Sequence, residues 1–311
     1  PMSMPAAIAW YRKTEWIASR TGIRQRHIAA PTETTGDLAY HAAIAAIEAA
    51  QIAASDIDLL VLGTTTPDLI FPATACLLQH RLGANGCIAF DVNAACSGFL
   101  YALSIADKFI RSGSVKTALV IGAETLSRML DWTDRATCVL FGDGAGAVIL
   151  KAAEEPGILS THLHADGGYK ELLWNPVGVS AGFRDEKNHG IRVLMTGSEV
   201  FKVAVKTLDR VVDETLDANN LDRHDLDWLI PHQANLRINQ TVAQQLQLAP
   251  HQVYSTIEKY GNTTAATIPI GMTDAIAEAK IRPGDIVLQA AFGSGFTWVT
   301  AFFAPKSLGS V

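Results

Sequence analysis

Asp56-Ile57-Asp58-Leu59-Leu60-Val61-Leu62-Gly63 and Asp225-Leu226-Asp227-Trp228-Leu229-Ile230-Pro231-His232 are two versions of one phrase, an acidic turn followed by an apolar strand. Asp58 in the first corresponds to Asp227 in the second. A second pair lies further on. Phe109-Ile110-Arg111-Ser112-Gly113 runs into Thr117-Ala118-Leu119-Val120-Ile121-Gly122, and Lys280-Ile281-Arg282-Pro283-Gly284 runs into Asp285-Ile286-Val287-Leu288-Gln289-Ala290. Here Gly113 corresponds to Gly284, at an offset only two greater than that from Asp58 to Asp227. Two matches at nearly one spacing argue for two halves of the same topology, residues 1–156 and 157–311. The competing reading is chance similarity between helix-turn-strand units.

Each half alternates strands and helices. Residues 38–50 are alanine-rich and helical, and Phe99, Leu103, Ala106 and Ile110 recur at helical spacing before Gly113 ends that helix. Near-continuous apolar strands at 118–121 and 286–288 suit sheets covered on both faces. The pattern predicts a layered α/β fold. It also predicts a strand at Gly157-Ile158-Leu159-Ser160-Thr161 whose partner in the first half would precede residue 1. Residues 2–10 do not read as that partner, so an N-terminal strand is expected to be missing from this sequence.

The 311 residues are 49% hydrophobic and 18% charged, enough to bury a large core and unlike a disordered chain. No apolar run is long enough to span a membrane, so no membrane association is expected. The start, Pro1-Met2-Ser3-Met4-Pro5, lacks the basic and apolar regions of a signal peptide. Cys76, Cys87, Cys96 and Cys138 form no C-x-x-C pair and suggest neither a disulfide framework nor a zinc site. A reducing cytoplasm is the expected compartment. The net charge of −6 argues against nucleic acid as the main partner, although Arg20, Arg24 and Arg26 cluster, and Lys202, Lys206 and Arg237 lie elsewhere.

Three positions can carry chemistry. Phe90-Asp91-Val92-Asn93-Ala94-Ala95 reads as a strand and its exit, and Ser97-Gly98-Phe99 opens a helix. Cys96 therefore sits at a strand-to-helix elbow, where the helix dipole is expected to lower a thiol pKa. A buried structural cysteine is the alternative on this evidence alone. His232 ends the strand equivalent to the one ending at Gly63, and sites in α/β sheets form beyond carboxyl ends of strands. Asn262 lies in the small polar turn Tyr260-Gly261-Asn262-Thr263-Thr264-Ala265-Ala266 before a helix at 268–280. Counting back from the matched helix ends places Cys96 opposite Thr267, so the Asn262 turn is the counterpart of the Cys96 elbow. An ordinary turn or N-cap is the alternative for Asn262. A Cys-His-Asn set suits acyl transfer. The thiolate holds an acyl group, and His and Asn donate to a second thioester carbonyl as it becomes an enolate. A papain-like protease uses the same residue types, but its local signature around the cysteine is absent.

Asp91-Val92-Asn93-Ala94-Ala95-Cys96-Ser97-Gly98-Phe99, Pro231-His232-Gln233-Ala234-Asn235 and Gly261-Asn262-Thr263-Thr264-Ala265-Ala266 resemble the three signatures of the β-ketoacyl-acyl-carrier-protein synthase III family. The resemblance runs from about residue 15 to 298. It implies the thiolase-like fold, five layers αβαβα with duplicated halves. It also implies a decarboxylative condensation of an acyl-CoA primer, typically acetyl-CoA, with malonyl-acyl carrier protein, which initiates fatty acid synthesis. CoA and the phosphopantetheine of the carrier enter as substrates, and no separate cofactor is implied. Trp16 and Arg135 match positions that sandwich the CoA adenine, Arg20 one near the CoA phosphates, and Asn235 one lining the pantetheine tunnel. Phe71 matches a residue that reaches across a homodimer into the partner's acyl pocket. Lys202 and Arg237 match a basic patch that docks the acidic carrier protein.

The sequence departs from the family at Phe292-Gly293-Ser294-Gly295-Phe296, where Ser294 replaces a glycine. The backbone amides of Cys96 and Ser294 are implied in the acyl oxyanion hole. Gln244 and Gln245 replace lysines of some relatives, which would weaken carrier docking. Two rival functions remain on the resemblance: an acyltransferase or signal-molecule or secondary-metabolite synthase of the same fold, and a non-catalytic acyl-carrier binding subunit. Gly142-Asp143-Gly144-Ala145-Gly146 lacks the P-loop lysine and reads as a structural turn. His162-Leu163-His164-Ala165-Asp166 lacks a third ligand cluster, so no metal is expected.

Overall fold

Asp58 and Asp227 perform the same task in two places. The Asp58 carboxylate accepts the amides of Lys116 and Thr117, and the Asp227 carboxylate accepts the amide of Ile286 at 2.7 Å. Asp56 and Asp225 close matching one-turn caps on Ala53 and Asp222. Each acidic turn thus ties the start of one strand to the start of its neighbour, which sets their register.

The structure is a computed structural model that describes residues 14–155, 157–184 and 190–304. The first half contains α1 (Thr14–Thr21), α2 (Thr35–Ala50), β1 (Leu59–Gly63), α3 (Thr74–Leu82), β2 (Ile88–Val92), α4 (Gly98–Arg111), β3 (Thr117–Glu124) and β4 (Gly144–Lys151). The second contains β5 (Ile158–Ala165), the short pair β6 (Leu173–Trp174) and β7 (Leu194–Met195), and α5 (Gly197–Ala218). It continues through β8 (Trp228–Pro231), α6 (Leu236–Gln245), α7 (Ile257–Tyr260), α8 (Thr267–Ala277), β9 (Val287–Gly293) and β10 (Thr297–Phe303).

The two main sheets run β2-β1-β3-β4 and β5-β10-β9-β8. In the first, β1 is parallel to β3 and β3 antiparallel to β4. In the second, β8 is parallel to β9 and β9 antiparallel to β10. A single parallel bridge from Leu229 to Val253 stands where β2 flanks β1. Leu59 pairs with Ala118, and their counterparts Trp228 and Val287 pair with each other, both at the offset that relates Asp58 to Asp227. The repeat is therefore structural. The slightly larger offset from Gly113 to Gly284 belongs to a turn, because the second half then reaches its strand in two fewer residues.

Five layers follow from which faces are apolar. Leu60, Leu62, Leu119 and Ile121 point to one side and pack on Ala39, Ala43 and Ile47 of α2. Leu59, Val61, Ala118 and Val120 alternate to the other side and meet Phe99, Leu103 and Ala106 of α4. That same cluster reaches Ala291, Val299 and Ala301 of the second sheet, so α4 lies between the sheets, as does α8. On the far side α5 covers Leu288, Ala290 and Phe302 with Val200, Ala204, Leu208 and Val211. All eight residues of β3 and all seven of β9 are buried, as strands covered on both faces must be.

The helix expected at 38–50 begins at Thr35, capped by Thr34 in a box with Asp37, and the one expected at 268–280 spans Thr267–Ala277. Strand β5 opens the second half where expected and pairs with β10. Among the described residues, β4 is an edge strand. The expected absence of an N-terminal partner concerns residues 2–10, outside the described residues.

Candidate active site

The thiol is held by both halves. Strand β2 ends at Val92, and Ala95–Ser97 form one tight turn before α4 begins at Gly98. Ala95 takes a left-handed φ of 48°, which aims Cys96 into the interior at 7% exposure. The other half then clamps the turn. Thr297 Oγ1 donates to Ala94 O at 3.1 Å, and Ser97 Oγ donates to Thr297 O at 3.2 Å. A β-carbon at Gly293 would lie 2.9 Å from the Cys96 amide nitrogen, so only glycine lets the β9–β10 hairpin approach the elbow this closely.

The environment corrects one expectation. Burial, followed by the nearby Glu124 carboxylate, pushes the Cys96 thiol up to about 12, the opposite of the lowering expected at a helix N-terminus. Taking a thiolate out of water outweighs the partial charge of one helix end.

His232 lies one residue beyond β8. Its amide donates to Ala290 O at 2.7 Å, which extends the pairing with β9. Its ring meets Phe292 edge-on at 6.0 Å, and its Nδ1 lies 2.7 Å from Thr267 Oγ1. Burial holds the imidazole down to about 3, so it is neutral at physiological pH. Gln233 anchors the strand exit: its amide donates to Pro231 O, and its carbonyl accepts from Ser255 Oγ and from the amide of Thr256.

Asn262 is fixed at both ends. Its backbone amide donates to Leu140 O, its carbonyl accepts the Gly142 amide, and its Oδ1 accepts the Thr264 amide at 2.9 Å. With Oδ1 occupied, the donor end of the side-chain amide remains for another partner. The turn Thr264–Ala266 therefore orients Asn262 from its start, while Thr267 just after it holds His232. This turn packs directly on the turn that carries Cys96. The elbow, His232 and Asn262 are thus brought to one place, as the repeat predicts. The register differs from expectation. Ala265, not Thr267, stands opposite Cys96, because each occupies the middle of its turn and the strand offset of the repeat relates them.

Sequence reasoning passed over three participants. Glu124, fully buried at the end of β3, accepts from Thr65 N and Oγ1 and from Thr66 Oγ1 at 2.6 Å, and burial raises its carboxyl to about 7. Thr267 and Gln233 are the others. A charged residue ending an apolar strand, beside the run Thr64-Thr65-Thr66, was the available signal for Glu124.

Comparison with known proteins matches this architecture. Residues 90–167 fit the model for 3-oxoacyl-[acyl-carrier-protein] synthase III, and residues 216–304 fit its C-terminal model. A β-ketoacyl-[acyl-carrier-protein] synthase III of Xylella fastidiosa is 65% identical over 287 residues, 92% of this chain and 88% of that protein. The chain belongs to the β-ketoacyl-acyl-carrier-protein synthase III family. Solved structures of 3-oxoacyl-acyl-carrier-protein synthase III agree in fold. The one from Pseudomonas aeruginosa superposes with a TM-score of 0.90 at 39% identity, covering 99% of this chain and 95% of that one. The one from Aquifex aeolicus gives 0.88 at 46%, covering 94% and 91%. The fold is the thiolase-like fold of this family.

The remaining positions matched to the synthase III family fall into separate places. The guanidinium carbons of Arg20 and Arg135 lie 4.6 and 5.6 Å from the Trp16 ring centroid, so these three gather on one surface. Asn235 caps α6 by accepting the Arg237 amide and is half-buried. Ser294 Oγ donates to Leu173 O, which engages its side chain with β6. Phe71 is 82% exposed on the loop between β1 and α3. Lys202 pairs with Glu199, and Lys202, Lys206 and Arg210 line an exposed stripe of α5, with Arg237 exposed at the start of the adjoining α6. His162 and His164 both bind Glu214, and Asp143 in the glycine-rich turn accepts from Ala29, Ser127 N and Ser127 Oγ. Among the described residues, no helix is long and apolar enough to cross a membrane.

Proposed function

We propose that this chain condenses an acyl-CoA primer, acetyl-CoA first among candidates, with malonyl-acyl carrier protein, giving the 3-oxoacyl-acyl carrier protein that initiates fatty acid synthesis. The reading rests on one observation: a single turn, Thr264–Thr267, orients both Asn262 and His232 beside the elbow that carries Cys96. In the first half-reaction the Cys96 sulfur bonds to the acyl carbon, the carbon–sulfur bond to CoA breaks, and CoA leaves with the thiol proton. The amides of Cys96 and Ser294 receive the oxyanion. In the second, malonyl loses carbon dioxide, and its carbonyl, held by His232 and Asn262, becomes an enolate. The enolate carbon bonds to the acyl carbon, the Cys96 thioester breaks, and the sulfur regains a proton.

The secondary assignments follow the same reading. Trp16, Arg20 and Arg135 hold the nucleotide end of CoA, and Asn235 lines the pantetheine path. Lys202 and Arg237 dock the carrier, for which the α5 stripe offers positive charge on a chain of net charge −6. Exposed Leu69, Ile70, Phe71 and Ile88 beside edge strand β2 suit a homodimer in which Phe71 enters the partner's pocket. The compartment is cytoplasmic, and no cofactor beyond the two thioester substrates is invoked.

Intact-mass measurement tests the reading. Wild-type enzyme given acetyl-CoA should gain one acetyl group, and Cys96→Ala none; acylation of Cys96→Ala would overturn the assignment. His232→Ala and Asn262→Ala should lose release of carbon dioxide from malonyl-acyl carrier protein more than they lose acylation, and the reverse order would overturn their roles.

A further inference from the structure

The contact between His232 and Thr267 has a twin. At the strand offset of the repeat, His232 corresponds to Gly63 and Thr267 to Gly98. In the first half these glycines abut: a β-carbon at Gly63 would lie 2.5 Å from the carbonyl carbon of Gly98. The same junction of strand end and helix start is thus bare backbone in one half. In the other it carries a hydroxyl against an imidazole, 2.7 Å from oxygen to Nδ1.

The hydroxyl has one hydrogen and two neighbours that could take it, Nδ1 of His232 and Thr264 O at 3.0 Å. Thr264 O already accepts the backbone amide of Thr267. The hydroxyl hydrogen can therefore leave that carbonyl without stranding it. If the hydrogen stayed on Thr264 O, Nδ1 would have to carry the ring proton and donate to Oγ1, leaving Nε2 a bare acceptor with nothing to offer the enolate oxygen of the proposed reaction. We propose that Thr267 is a positioning residue whose hydroxyl donates to His232 Nδ1 and so holds the neutral imidazole as its Nε2–H tautomer.

This rests on the proposed function, since an Nε2–H is what a developing enolate oxygen requires. It adds the reason the ring is ready to donate before substrate arrives. Asn262 is prepared in parallel, its Oδ1 taken by the Thr264 amide. Thr264 and Thr267 thus present two donors, one amide and one imidazole, with no proton transfer needed to create either.

Nitrogen-15 NMR of enzyme labelled at histidine rings reads the tautomer directly, with His232→Gln used to assign the signal. The expected spectrum of wild-type enzyme shows His232 protonated at Nε2 and bare at Nδ1. A proton on Nδ1 would overturn the proposal. In kinetics, Thr267→Val should lower condensation on the order of tenfold to a hundredfold, somewhat less than removal of an oxyanion donor outright. Acetylation of Cys96 should stay within about twofold, and Thr267→Ser should restore most of the condensation rate. Condensation by Thr267→Val at the wild-type rate, or equal loss of both half-reactions, would also overturn it. If wild-type enzyme releases no carbon dioxide from malonyl-acyl carrier protein, the proposed function fails, and the NMR result still decides the tautomer.

Discussion

Ala265 stands in the second half where Cys96 stands in the first. Each is the middle residue of a one-turn helix that leads into a central-layer helix, and the residue before each, Ala95 or Thr264, has a φ near 50°: 48° and 51°. Thr264 is β-branched and is strained in that conformation. The repeat thus places two matching turns in contact at the starts of the two central helices. One keeps a thiol. The other has alanine there and hydrogen-bonding residues around it, Asn262 before and Thr267 after.

The thiol should behave as a weak acid in the free enzyme. With Cys96 near 12, its thiolate fraction rises about tenfold per pH unit well past neutrality. Iodoacetamide alkylation of the Cys96 peptide, followed by mass spectrometry, should therefore climb without a plateau from roughly pH 6 to 9. A plateau near neutral pH would show that the helix terminus prevails over burial.

Glu124 should make stability depend on pH in a particular sense. Its carboxyl is raised from 4.5 to about 7, so the folded state prefers it protonated. That contribution is fully present below about pH 4.5 and is lost as pH rises through about 7. Glu124→Gln keeps an acceptor for Thr65 and Thr66 but cannot ionise. Its advantage over wild type should grow between pH 5 and 8 by up to about 3 kcal/mol, read as a widening difference in Tm. The same variant should alkylate faster at Cys96 at fixed pH, because a nearby negative charge is gone. A Tm difference independent of pH would count against a buried titrating carboxyl.

Gly122 should tolerate no side chain. A β-carbon there would lie 2.4 Å from the carbonyl oxygen of Ala265 and 3.1 Å from the Phe99 β-carbon. The clash is with backbone of the opposite elbow, which cannot rotate away. Gly122→Ala should lower unfolding stability by about 3 kcal/mol or more, by urea denaturation. A loss under about 1 kcal/mol would mean that the two elbows are less closely packed.

Trp16 should act on binding and not on chemistry. An adenine stacked between Trp16 and Arg135 needs about 7 Å from ring to guanidinium, two van der Waals gaps. On the proposed binding of CoA, the present 5.6 Å would require Arg135 to move outward to admit the nucleotide. Trp16→Ala should raise KM for acetyl-CoA about tenfold, within the range for losing one base–aromatic stack. Rates with a short acyl thioester lacking the nucleotide should be unchanged. An equal loss with both substrates would remove Trp16 from the nucleotide site.

The duplication, the layered α/β class and the gathering of the Cys96, His232 and Asn262 segments in one place were legible in the amino-acid sequence. They are written locally: apolar strands of both-face burial, paired acidic turns, and small polar turns before helices. Local pattern could not give the register of the two elbows. Counting from helix ends placed Cys96 opposite Thr267, two residues from its true counterpart Ala265, because the turn after each central helix differs in length. Only the tertiary structure decided that the thiol is a poor acid, that Glu124 lies buried near it, and that Thr267 reaches the ring of His232. Each depends on segments distant in the chain becoming neighbours and on the water they exclude. Desolvation belongs to the packed assembly of residues, and no stretch of sequence around Cys96 contains it.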